Sequence, residues 1–139
     1  MKKLIVSLIV FILIIPSAFA DFVDDFNRNA EIYNVEKLQS FKDEEGSIFY
    51  MSGFMLLYYE NGIVSIMGTD PVKTLAVGCC AADCVNQKES ADEICGRLFR
   101  TYLSALEAED HRAYSTYQGN YIKILIEATD EYVMIGLSK

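Results

Sequence analysis

Three of the four cysteines lie in one run, TLAVGCCAADCVNQ (residues 74–87): Cys79, Cys80 and Cys84, with Cys95 following. Cysteine can cross-link, ligate a metal as thiolate, or act as a redox or nucleophilic centre. The spacing C-C-x3-C-x10-C sorts these options. A zinc site takes two knuckles, each a pair of ligands roughly two to four residues apart. Here the second knuckle has only Cys95, with His111 as a distant fifth candidate. Thioredoxin-like chemistry uses C-x-x-C, and C-x-x-x-C is not that motif. The cysteines therefore read as structural disulfides, as expected of a small domain in an oxidising compartment. A bond between neighbours Cys79 and Cys80 is disfavoured by disulfide geometry. If VKTLAVGC is a strand, Leu75, Val77 and Cys79 share its core face. Cys95 falls on the apolar face of the following helix. This facing argument predicts Cys79–Cys95, with Cys80–Cys84 closing the Ala81-Ala82-Asp83 loop. The alternative pairing is Cys79–Cys84 with Cys80–Cys95.

His111 is the only histidine, so any Ser-His-Asp or Cys-His arrangement must pass through it. It sits in EAEDHRAY among Glu109, Asp110 and Arg112. That context reads as a charged helix end, where a cation complements the helix dipole. No nucleophile elbow, H-E-x-x-H, glycine-rich phosphate loop or EF-hand pattern is present in the sequence. With 20 acidic residues, some pair will always imitate a glycosidase, so carboxylate spacing carries no weight. No catalytic, cofactor-binding or metal-binding residues are assigned, and no enzyme activity is expected.

The other concentrated chemistry is aromatic. Tyr50, Tyr58, Tyr59, Tyr114, Tyr117, Tyr121 and Tyr132 fall in predicted strands or their turns. Tyrosine is ordinary in sheets and is also favoured at protein interfaces. STYQGN, residues 115–120, is a neutral, tyrosine-bearing turn in an acidic chain. It makes Tyr114, Tyr117, Gln118, Asn120 and Tyr121 the interface candidates.

These residues must be positioned by a small set of elements. Apolar residues at helical spacing (Phe22, Phe26, Ala30, Tyr33, then Val35, Leu38 and Phe41) predict a helix with a break near Asn34. Asn61-Gly62 between LLYYE and IVSIM predicts a hairpin, because a type I′ turn needs φ > 0 at both central residues. A helix over residues 48–59 is the competing reading, outweighed by the aromatic and β-branched content and by that turn. Both alternation phases of residues 54–59 are apolar, which predicts a strand covered on both faces. Thr69-Asp70-Pro71 reads as a turn, and VKTLAVGC as a third strand. Ser90 and Glu93 form a capping box for a helix to about Glu109, with Ile94, Cys95, Leu98, Phe99, Tyr102, Ala105 and Leu106 on its apolar face. The remainder reads as a strand meander turning at Gly119-Asn120 and Thr129-Asp130-Glu131, with Ile122, Ile124 and Ile126 pointing inward. The expected fold class is α+β: a mostly antiparallel sheet of about five to six strands with two amphipathic helices on one face, in the order α-βββ-α-ββ(β).

The ends and the charge bound the setting. MKKLIVSLIVFILIIPSAFAD has a basic start, an apolar run of about 12 residues and an A-x-A site, the pattern of a secretory signal peptide over residues 1–20. The run is short for a membrane span, which takes roughly 20 residues; an uncleaved anchor is the competing reading. Residues 21–139 then form one domain in the bacterial periplasm or exterior. Removing Lys2 and Lys3 from the 12 basic residues leaves 10 against 20 acidic ones, a net charge of −10. Such a surface repels phosphate backbones and anionic membranes and suits a basic partner. The expected function is an exported, disulfide-stabilised protein-binding domain, in its most specific form an inhibitor or immunity-type protein against a basic cell-wall hydrolase or toxin. The alternatives are an accessory subunit of an envelope secretion or pilus assembly, and a small hydrolase using His111. No cofactor is implied, and the oligomeric state is left open.

Overall fold

The computed structural model describes residues 22–42, 47–51, 55–60, 62–85, 91–117 and 122–138. Residues 1–20, expected as a leader, Asn61, the expected Ser90 cap and Gly119-Asn120 turn, and the candidates Gln118, Asn120 and Tyr121 lie outside the described residues, and Tyr117 is described by its backbone alone.

Helix α1 covers residues 22–33. Phe22, Phe26 and Ala30, spaced by four, form its buried face. It stops at Asn34, whose φ of 53° is left-handed. The Val35 N–H donates to the Ala30 carbonyl at 3.0 Å, the long backbone bond of a Schellman cap. The break foreseen near Asn34 is thus a true end, and the helical reading through Phe41 gives way to strand β1, Gln39–Lys42.

β1 opens an antiparallel run with β2 (Ser47–Met51), β3 (Met55–Glu60) and β4 (Ile63–Gly68). The β3–β4 hairpin turns through Gly62, at φ 80°. On β4 the alternation is plain, with Val64, Ile66 and Gly68 buried while Ile63, Ser65 and Met67 are exposed. On β3, Leu57 is buried and Leu56 exposed. The expectation that this strand is covered on both faces is therefore corrected. Its second apolar phase faces outward.

The larger correction follows β4. The expected third strand, VKTLAVGC, is the first part of helix α2, Pro71–Val85. Thr69-Asp70-Pro71 is a helix start: the Asp70 carboxylate accepts from the Lys73 N–H at 3.1 Å, and Pro71 occupies the first helical position, where its missing N–H costs nothing. The buried residues Thr74, Val77, Gly78, Cys80, Ala81, Ala82 and Val85 recur at three and four residues, the helical period. The alanines add intrinsic helix preference.

Helix α3, Ala91–Glu107, returns beside α2. Its buried stripe is Ile94, Leu98, Thr101 and Ala105, narrower than expected; Phe99 and Leu106 are exposed, as is Leu103. The Thr101 hydroxyl lies 2.7 Å from that of Ser115, tying α3 to the sheet. β5 (Arg112–Tyr117), β6 (Ile122–Ala128) and β7 (Val133–Ser138) complete the chain, with the Thr129 side chain and backbone closing the β6–β7 turn onto Tyr132.

Among the described residues the strands form one seven-stranded sheet, ordered β1-β2-β3-β4-β7-β6-β5, every pairing antiparallel. Three described helices, rather than the expected two, lie on one of its faces. α2 packs over β4 and β7, and α3 over β5 and β6. α1 reaches the same face at β3, where Phe22 stacks on Tyr59 with ring centroids 4.3 Å apart. The core between these layers includes Leu57, Ile66, Ile126 and Ile135, all fully buried. Each such burial stabilises by roughly 1.5–3 kcal/mol. The α2–sheet contact is close enough to need glycine. A Cβ on Gly78 would stand 2.8 Å from Ile135 Cδ1.

Candidate functional site

The cysteines become two features of different kind. Cys79 is bonded to Cys95, with Cα atoms 5.2 Å apart. The bond joins α2 to α3, not a strand to a helix, because the two helices lie side by side. The Tyr33 hydroxyl stands 3.4 Å from Cys95 Sγ, so the end of α1 meets the same fastening. Cys80 and Cys84 are free thiols. The expected Cys80–Cys84 bridge is corrected by helix geometry. Residues four apart on a helix hold their Cβ atoms about 5–6 Å apart, against the roughly 3.5–4.5 Å that a disulfide requires. The loop that the bridge was to close is helix.

Neither thiol is set up as a nucleophile. Burial, then the Asp83 charge, pushes Cys80 up to about 12. Burial, followed by Asp25 and Asp83, pushes Cys84 up to about 12 as well. Reactive cysteines need the opposite environment, a cation or a helix N-terminus that stabilises thiolate. Cys84 borders a polar recess with Asp25, Arg28, Asn29 and Asp83, where Asn29 Nδ2 donates to its sulfur at 3.7 Å. Burial and the nearby Asp25 raise Asp83 above the usual carboxylate range. Among the described residues, no group of three or more His, Cys, Asp or Glu is arranged to hold a metal, and no helix is long and apolar enough to cross a membrane.

His111 works through its backbone. It takes a left-handed φ of 57° in the turn between α3 and β5. Its N–H donates to the Ala108 carbonyl at 3.1 Å, and its carbonyl accepts from Ala128 at 2.9 Å. The side chain is exposed, and among the described residues its ring makes no hydrogen bond to a hydroxyl or thiol. Next to it, Arg112 Nε donates to Glu127 at 2.6 Å, and the Tyr132 hydroxyl donates to the other Glu127 oxygen. Tyr132 first, then Arg112, holds the Glu127 carboxyl below its usual range.

The topology gathers charge that the sequence scatters. Gly68 pairs with Val133, Val133 with Ala128, and Glu127 with Arg112. The β4–α2 junction, the α3–β5 turn and the β6–β7 turn therefore share one end of the sheet. Asp70, Glu109, Asp110, Asp130 and Glu131, all exposed, lie there together. The described end of the STYQGN segment, at Thr116 and Tyr117, belongs to the opposite end, since Tyr117 pairs with Ile122 there.

The sheet face away from the helices has a different character. Tyr114 is 73% exposed, Ile63 53% and Met67 46%. One cross-strand row runs Tyr58, Ser65, Gly136, Leu125, Tyr114; the next runs Leu56, Met67, Met134, Glu127, Arg112. Of the tyrosine-based candidates, Tyr114 stands on this face. Ile63, Met67 and Leu56 were not singled out as contact residues from the sequence. Their signal was present in MLLYYE and IVSIMG, where apolar residues fall in both alternation phases although one helical layer can cover only one of them. No protein-family model, curated protein or solved structure matches this chain.

Proposed function

We propose that the protein is an exported, non-catalytic protein-binding domain whose partner is basic, in its most specific form an inhibitor or immunity-type protein against a cationic cell-wall hydrolase or toxin. The observation behind this reading is the acidic end of the sheet, where Asp70, Glu109, Asp110, Asp130 and Glu131 come from three separate connections. Converging same-sign charge on rigid turns steers an oppositely charged protein and speeds association. The leader-like N-terminus, the Cys79–Cys95 bond and the net charge of −10 after leader removal fit an oxidising, extracytoplasmic setting. The hydrolase reading gains no support from the exposed His111 ring.

The test is affinity capture from the exported fraction at low ionic strength, using wild type and a Glu109→Lys/Glu131→Lys variant. A cationic protein retained by wild type, released by salt and not retained by the variant supports the proposal. No cationic partner at low salt overturns it. The second reading, an accessory subunit of an envelope assembly, draws on the outer edge of β5, a six-residue strand that can accept a partner strand. A stable, salt-indifferent complex would favour it.

A further inference from the structure

The acidic end explains neither the apolar phase of β3 and β4 nor the sheet face that no described helix covers. We propose that this face is the interface of a homodimer, in which two copies pack sheet to sheet with their helical layers outward.

The area is of the right order. Strands stand about 4.8 Å apart and rise roughly 3.3 Å per residue, so the six strands from β2 to β5, of about six residues each, span a projected area near 600 Å² before side-chain relief. A standard interface covers about 800 Å² per partner, whereas the largest apolar patch on a typical monomer is about 300–600 Å².

The charge pattern selects a second copy over an unlike partner. A chain with a net charge of −8, or −10 without its leader, repels itself unless contact is made where charge cancels. On this face the described charges are Glu60, Glu127, Arg112 and Lys123, which sum to zero. One pair of them is also self-complementary. A two-fold axis parallel to the strands, between β4 and β7, lays β3 of one copy over β6 of the other. In register, Glu60 then faces Lys123 of the second copy, Met67 faces Met134, Tyr58 faces Leu125 and Ser65 faces Gly136, while Leu56 faces Glu127, whose carboxylate keeps Arg112 and Tyr132 of its own copy. Glu60 already accepts from the Tyr58 hydroxyl at 2.5 Å, which holds its carboxylate on this face. The centre of the contact, Ser65 against Gly136, is the flattest part of the face and lets the two sheets approach to about 10 Å. The exposed stripe Phe99, Leu103 and Leu106 on α3 is the competing apolar surface. It is one helix wide and is flanked on one side by Arg100 and Glu107.

Sedimentation of the full chain over a concentration series from about 1 to 500 µM tests this, at an affinity range typical of modest interfaces. Wild type is expected to reach twice the monomer mass. Met67→Lys and Ile63→Lys are each expected to weaken dimerisation at least tenfold while preserving the far-ultraviolet circular dichroism of wild type. Lys123→Glu is expected to weaken it, and Glu60→Lys in the same chain to restore it. Leu103→Lys is expected to leave it unchanged. A monomer throughout the series overturns the proposal. So does a dimer indifferent to Met67→Lys and Ile63→Lys, or one broken by Leu103→Lys. Because none of these substitutions touches the acidic end, failure here is separable from failure of partner capture.

Discussion

Replacing Cys79 and Cys95 together by alanine removes the α2–α3 bond and leaves Cys80 and Cys84 in place. The bond closes a loop of sequence separation 16. The chain-entropy relation gives about 3 kcal/mol at 25 °C for such a loop. A small domain has only about 5–15 kcal/mol in total, so this is a large fraction. At a urea m-value of roughly 1–3 kcal/mol/M, the midpoint should fall by about 1–3 M. Urea unfolding of wild type with and without reductant, beside the double variant, reads this directly. Reductant should bring wild type to the variant's midpoint and leave the variant unmoved. Native labelling should find the two remaining thiols protected, since Cys80 is fully buried and both are pushed up to about 12. They should label once the chain is unfolded. A midpoint that moves by less than about 0.3 M, or a disulfide map that joins Cys80 or Cys84 to Cys95, would refute the reasoning.

Glu127 carries a pH prediction. Tyr132 and Arg112 depress its carboxyl below the ordinary 4.5, so its contribution to stability is present above that value and is lost as pH falls through the depressed folded value. The stability difference between wild type and Glu127→Gln should therefore be constant near neutrality and shrink under acid, as read by urea midpoints across pH. Gly78→Val should destabilise by about 1–3 kcal/mol or more, because even its Cβ meets Ile135 at 2.8 Å in the closed core. Gly78→Ala should cost less, since alanine recovers about 1 kcal/mol of helix preference, and thermal melts of the two variants would rank them.

Local signals decided which parts of this fold were legible in sequence. Asn34 marked the end of α1 because few other residues accept a left-handed cap. The Asn-Gly pair placed the β3–β4 hairpin, and the Ile122, Ile124, Ile126 row placed β6 with the correct face inward. The α2 segment misled because its first residues, VKTL, suit a strand and Asp-Pro serves both turns and helix starts. The deciding signal was further along, in the three- and four-residue recurrence from Thr74 to Val85 and in the run of small residues that lets a helix sit tight on a sheet. That one error propagated. It made Cys80–Cys84 look like a loop closure, when helical spacing keeps the two sulfurs apart. The Cys79–Cys95 pair was reached through facing directions on the wrong element, and it stands in the structure because α2 and α3 are neighbours. The acidic end was invisible for a different reason. Its residues span positions 70 to 131, and only the strand order brings them together.

The two proposed surfaces constrain each other. A two-fold axis parallel to the strands preserves the direction along them, so the acidic ends of both copies emerge on the same side of the dimer. Ten carboxylates then face one way, five from each copy. Their mutual repulsion opposes dimerisation and is screened over a Debye length of about 10 Å at 0.1 M salt. The Glu60–Lys123 contacts at the rim also weaken with salt, but exposed ion pairs contribute only about 0–1 kcal/mol each. Added salt should thus strengthen self-association while weakening capture of a basic partner. The partner in turn neutralises the repulsion that the dimer carries, so binding at the acidic end favours the paired state and pairing raises the local density of sites for the partner. The apolar sheet face and the acidic turns act as one device on this account, with the first setting valency and the second setting charge.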